Sequence, residues 1–155
     1  MADWLVKSEP TVYSIDDLAR DRIELWDGVR NYQARNYLQQ MQVGDRVFVY
    51  HSNAKPPGLA GLAEVVETNV VDPTQFDPTS PDYDPKATPD KPRWYTVKLG
   101  YVATFANLVP LDILKATFTP DEFVLVRRGN RLSVLPIEEA IASRLLALTT
   151  LRKET

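Results

Sequence analysis

The chain has 155 residues, of which 44% are hydrophobic and 25% charged, a mixture that fits one globular domain with a real core and excludes a disordered or fibrous chain. Zero cysteines exclude disulfides, thiolate catalysis and cysteine zinc sites, and the single histidine, His51, excludes a His-rich metal site, while carboxylate-bound magnesium or calcium stays open. Eighteen basic against 21 acidic side chains give a net charge of −3, which argues against gripping nucleic acid through bulk charge but allows a local basic patch.

No apolar run has signal-peptide or bilayer length, so the chain is expected to be soluble, unprocessed and cytoplasmic. In chain order, Trp4-Leu5-Val6 predicts a short strand that Lys7-Ser8-Glu9-Pro10 ends, which leaves polar groups at its mouth. Ser14 as N-cap with Asp17 three residues on predicts a short helix ending near Arg20. Trp26 to Arg30 reads as a loop in which Gly28 can take positive φ. Ala34, Tyr37, Leu38 and Met41 then space a helix that Gly44 can close.

Arg46 to His51 predicts a strand with Val47, Val49 and His51 on one face. A second follows over Gly58 to Val66, where Gly61 signals a bulge or a close backbone approach. Residues 72–93 hold six of the twelve prolines and five aspartates, so they form no regular element. That composition suits a disordered surface loop, whereas Phe76, Tyr83 and Trp94 favour an ordered one pinned to the sheet. Trp94 to Leu99 alternates as a strand, Phe123 to Val126 and Arg131 to Val134 read as a hairpin around Gly129-Asn130, and a terminal helix is expected from Pro136. These elements make an α+β domain, β-rich with peripheral helices.

The phosphate-binding, dinucleotide, zinc-protease and hydrolase-elbow motifs are missing, and His51 and Ser52 are strand neighbours that point apart, so no enzyme and no cofactor is expected. What remains is polar and aromatic residues at element ends: Lys7-Ser8, Trp26 to Tyr32, Tyr50 to Asn53, and Arg127, Arg128, Arg131 and Ser133. Together they hold what a base pocket needs, namely a flat ring for stacking, amides and hydroxyls for a base edge, and arginines for a flanking phosphate. Each also has an ordinary reading, with Trp26 as core, His51 as a hydrogen-bonded structural group and Arg127 and Arg128 as a solvated turn.

Residues 4–10, 26–36, 50–53 and 131–134, together with Pro57-Gly58, Gly61 to Val65, the segment Phe76 to Pro85 and Lys91 to Trp94, resemble the EVE domain family. The resemblance runs from about residue 2 to 148, which assigns 1–148 to one domain and 149–155 to a C-terminal tail. It implies a PUA-like β-barrel of about five to six strands, related to YTH domains, that reads a methylated or hydroxymethylated base in DNA or RNA without altering it. On that resemblance Trp26 corresponds to a YTH cage tryptophan following a strand that ends in Lys7-Ser8. Asp27, Val29, Arg30 and Asn31 form the pocket edge, and Tyr50, His51 and Ser52 face it from another strand end. No second tryptophan closely follows Gly58 to Glu64, so the resemblance does not carry methyl-adenine specificity. Two other functions fit the same residues, an accessory or catalytic part in a nucleic-acid modification or restriction system and a protein-interaction domain using the Asp/Pro loop.

Overall fold

The computed structural model describes residues 1–149, so the expected tail lies outside the described residues apart from Thr149. The strands are β1 (Asp3–Ser8), β2 (Ile23–Leu25), β3 (Arg46–His51), β4 (Gly58–Val71), β5 (Tyr95–Pro110) and β6 (Val134–Ile137). The helices are α1 (Ile15–Asp21), α2 (Tyr32–Gln40), α3 (Leu111–Thr117) and α4 (Glu139–Ala147), with two short 3-10 turns at Pro73–Phe76 and Val124–Val126. One mixed sheet runs β2-β5-β4-β3-β1-β6, with β1 parallel to β3 and antiparallel to β6.

The sheet is α+β in class but is not closed by hydrogen bonds. Among the described residues β2 and β6 stand at its two ends and do not pair with each other. β2 has only three residues and Pro136 removes a donor from β6, so neither end offers a continuous ladder for closure.

β3 is central, and successive residues go to opposite faces. Val47 and Val49 join Trp4, Val6, Ile15, Leu18, Ala34 and Leu38 in a core under α1 and α2, while Phe48 and Tyr50 join Leu5, Leu114, Ile141 and Leu145 under α3 and α4. Both faces are therefore dry, where the alternation suggested one. At the α1 N-terminus the capping box forms as the residues predict, with the Asp17 N–H donating to Ser14 Oγ at 3.1 Å and the Ser14 N–H to Asp17 Oδ2 at 2.9 Å.

Several elements depart from the sequence reading. β2 was not foreseen, and β4 and β5 run on well past Val66 and Leu99 as a long, bulged ribbon. Helix α2 ends at Gln40, and Gly44 sits beyond it in the turn into β3 at φ 94°. The hairpin expected around Gly129-Asn130 does not form. Leu125 and Val126 turn inward as a 3-10 segment, and β6 pairs with the free edge of β1 instead. Pro136 consequently lies in an edge strand, where a missing N–H is tolerated, and α4 starts at Glu139.

Gly61 marks both a register shift between β4 and β5 and a close approach, since a Cβ there would lie 2.6 Å from Ile15 Cγ1 and also strike the Ala103 carbonyl. The backbone carbonyl cannot yield cheaply. Gly61→Ala should cost about 1–3 kcal/mol of unfolding free energy, the usual effect of overpacking, read as a lower midpoint in chemical denaturation with an unchanged slope.

Candidate nucleotide-binding pocket

A cavity of about 460 Å³ opens where the end of β1 meets β2 and the loop leading to α2. Its wall is built from Lys7 and Ser8, Val12 and Tyr13, Glu24 to Asn31 without a break, and Ser133. That volume lies within the ordinary range for small-ligand sites.

β1 supplies Lys7 and Ser8 because its ladder ends there. The Lys7 N–H donates to the Ser133 carbonyl at 2.9 Å, which brings Ser133 to the same wall, and Ser8 Oγ donates to the Tyr13 carbonyl at 2.5 Å. The Lys7 ammonium lies 6.0 Å from the Tyr50 ring centroid, and burial lowers its pKa below the ordinary lysine value. Trp26 is 8% exposed, its N–H donates to the Val97 carbonyl, its carbonyl accepts from the Thr96 hydroxyl, and its ring meets Tyr13 edge-on at 6.2 Å. The indole is thus both core and wall. Asp27 stands at the open rim, where burial first and then the carboxylates of Asp72, Glu24 and Asp82 raise its pKa. Asn31 caps α2 by accepting from the Ala34 N–H at 2.9 Å.

The loop holds its shape through Asp72, at the root of the Pro-rich excursion. One carboxylate oxygen takes the Gly28 N–H at 2.9 Å and Arg30 Nη1 at 3.0 Å, and the other takes the Thr74 N–H and hydroxyl at 2.9 and 2.6 Å. Burial alone would raise the Asp72 pKa, but these donors together leave it below the ordinary aspartate value. Gly28 has φ 81°, and a Cβ there would lie 2.8 Å from Asp82 Oδ2. Arg30 also donates to the Asp82 carbonyl and the Thr74 hydroxyl, so its guanidinium ties the rim to the excursion.

The excursion is ordered. Gln75, fully buried, donates to the Asp72 and Trp94 carbonyls and accepts from the Arg93 and Trp94 N–H groups. Trp94 is buried and donates to Asp84 at 2.7 Å, Phe76 is partly buried, and Tyr83 is 40% exposed. Of the three aromatics, then, Trp94 is the one fully packed, and the deepest pin is the Gln75 amide.

Of the residues singled out from sequence, Lys7, Ser8, Trp26, Asp27, Val29, Arg30, Asn31 and Ser133 share the cavity wall. Tyr50, His51 and Ser52 stand outside the lining. Tyr50 packs in the core below Lys7, His51 Nε2 accepts the Ile15 N–H at 3.1 Å, and the Ser52 N–H donates to the Ser8 carbonyl at 3.0 Å. Burial lowers the His51 pKa against the opposing pull of Asp16 and Asp17, which keeps the ring nitrogen an acceptor. Arg127, Arg128 and Arg131 are exposed and outside the lining, with Arg127 Nε donating to the Pro120 carbonyl. Val12, Tyr13, Glu24 and Leu25 line the cavity without having been singled out. Tyr13 lies only five residues beyond Ser8, which was the available signal.

Comparison with known proteins finds relatives in both sequence and fold. The EVE domain profile matches residues 2–148. Human thymocyte nuclear protein 1 is 39% identical over 154 residues, covering 88% of this chain and 68% of the human protein. A Pseudomonas syringae protein of solved structure superposes with a TM-score of 0.92 at 46% identity over 95% of this chain and 99% of its own. Human THYN1 protein, solved in complex with 5-methylcytosine-containing DNA, superposes with a TM-score of 0.88 at 39% identity over 96% of this chain and 97% of its own. Among the described residues no helix is long and apolar enough to cross a membrane, and no group of three His, Cys, Asp or Glu side chains could hold a metal ion.

Asp72→Asn should lower stability at neutral pH by about 1.5–3 kcal/mol, the scale of hydrogen bonds to a charged group. Because the folded pKa of Asp72 is depressed, its contribution is complete above the unfolded value near 3.8 and is lost as pH falls through the folded value. Denaturation of the two proteins from pH 7 down to pH 2 should therefore show a gap that is widest near neutrality and closes in acid.

Proposed function

Because the chain belongs to the EVE domain family, we propose that it is a nucleic-acid-binding module that reads a modified base, held in the cavity at the end of β1. The observation that carries this is the cavity itself, one indole wall faced by a rim of hydrogen-bonding groups. The complex of human THYN1 protein with 5-methylcytosine-containing DNA supports 5-methylcytosine as the first base to test.

On this reading the six-stranded sheet is the PUA-like barrel of the family, and residues 1–148 are its domain. The base stacks on Trp26, with Val29 and Tyr13 closing the apolar side. Asp27 accepts from the exocyclic amine of a cytosine, the pairing that carboxylates make with that base, while Lys7, Ser8, Asn31 and Ser133 offer donors to ring and carbonyl acceptors. Tyr50, His51 and Ser52 hold the wall from behind, Arg30 fixes the rim, and Arg127, Arg128 and Arg131 contact the phosphate on the Ser133 side.

Recognition without turnover is part of the proposal, supported by a lone histidine already engaged as an acceptor. A cytoplasmic setting is part of the same proposal, and the cysteine-free sequence is compatible with it. Flipping a base from a duplex costs a few kcal/mol and less from a single strand, so single-stranded or locally opened sites are the favoured substrates.

The test is a titration panel of single- and double-stranded oligonucleotides carrying cytosine, 5-methylcytosine or 5-hydroxymethylcytosine at one salt concentration. A buried methyl adds at most about 0.8 kcal/mol, so the methylated site should bind up to about fourfold tighter than the plain one. Trp26→Ala, checked for a cooperative melt, should lose about 1–3 kcal/mol of binding, and Asp27→Leu at the exposed rim should weaken all three, since each carries the same exocyclic amine. Equal binding of all three bases by the wild-type protein would overturn the reading, as would recovery of a chemically altered base.

A further inference from the structure

Asn31 ends the rim and Tyr32 opens α2, and since consecutive Cα atoms are about 3.8 Å apart the first turn of that helix borders the pocket directly. Tyr32 is 48% exposed, and its ring stacks on Trp94 with centroids 5.0 Å apart and planes 16° from parallel. Three guanidiniums gather on this pair. Arg35 lies 4.8 Å from the Tyr32 centroid, Arg93 lies 5.7 Å from it and donates to the Tyr32 hydroxyl, and Arg30 lies 5.2 Å from the Trp94 centroid.

The charges around this stack do not balance. Arg30 is matched by Asp72 at 3.0 Å, and among the described residues the one carboxylate paired with Arg93 is Asp84 at 3.7 Å, which is itself taken by the Trp94 indole. Arg35 sends its donors to the Arg93 carbonyl and the Asn36 side chain, and to no carboxylate among the described residues. On a chain of net charge −3, a cluster of cations at an exposed ring is a local site for an anion bearing a flat base.

We propose that Tyr32, Arg35 and Arg93 seat the nucleotide adjacent to the one held in the pocket, its base stacking on Tyr32 and the bridging phosphate lying between the two guanidiniums. This surface reads no base edge, because stacking and phosphate contacts are sequence-tolerant. It contributes affinity and fixes the path of the strand, and it rests on the pocket reading above.

The experiment uses the full chain and two single-stranded pentanucleotides that differ only in a central cytosine or 5-methylcytosine, titrated over a range of salt. Tyr32→Ala should weaken both by about tenfold or more and leave the ratio between them unchanged, whereas Tyr32→Phe should bind nearly as the wild type does. Arg35→Gln should weaken both and flatten the log–log salt dependence by about 0.7, the value for one phosphate contact on a single strand. Wild-type affinities and slope in both Tyr32→Ala and Arg35→Gln would overturn the proposal, and so would a change confined to the methylated ligand. If Tyr32→Ala fails to fold, the Arg35→Gln slope decides alone. A wild-type protein that binds yet does not distinguish the two ligands sinks the reading of a modified base alone, and the Tyr32 and Arg35 variants still decide the seat beside a pocket that holds any base, while one that binds neither sinks both.

Discussion

The Asp72 carboxylate is the junction on which the pocket depends. It sits almost without solvent where β4 gives way to the Pro-rich excursion, and its four donors come from two different loops. A buried carboxylate is tolerable only with its acceptor sites filled, so the ion enforces a joint geometry on everything that donates to it. The Gly28 N–H can reach it only with the backbone at positive φ and no side chain in the way of Asp82. Arg30 answers the charge and in turn grips the Asp82 carbonyl. The rim from Trp26 to Asn31 is thereby moulded against the excursion, which serves as its buttress.

The same economy shows at the strand end. Alternation sends Lys7 and Ser8 to opposite faces of β1, yet both reach the cavity because the sheet stops there and the chain folds over it. Lys7 lies beside Tyr50 from one core, and Ser8 is turned toward Tyr13 beside the other. The mouth is polar because the ladder has run out, and one wall is apolar because Trp26 belongs to the core beneath α1 and α2.

Much of this was legible one residue at a time. The Ser14 and Asp17 box, the apolar spacing of α2, the β3 run, and the bend at Gly61 are local signals, and local physics decides them. Trp26, Asp27, Val29, Arg30 and Asn31 stood out because a tryptophan among polar residues and glycine in a loop is an unusual neighbourhood. What was not legible is partnership. Nothing at Val134 says that its strand prefers the edge of β1 over a hairpin with Phe123 to Val126, because that choice is made by an edge far away in sequence. Gln75 looks like any polar loop residue until its four partners are assembled around it. Arg127 and Arg128 advertise charge as strongly as Arg35 and Arg93, and only the fold brings the latter pair onto the Tyr32 and Trp94 rings beside the cavity.

The bond between the Lys7 N–H and the Ser133 carbonyl has a kinetic consequence. It joins segments near the two extremes of the described chain, at the end of a β1 strand that pairs in parallel with β3 and carries β6 along its other edge. Contacts of such long sequence separation close large loops and form slowly. The β3-β4 hairpin, joined by antiparallel pairing between neighbours in sequence, can assemble earlier, but it contains none of the Lys7, Ser8 or Ser133 wall. The Lys7 to Ser133 junction of the cavity wall therefore cannot close in a chain still emerging from the ribosome until the segment carrying Ser133 has been made.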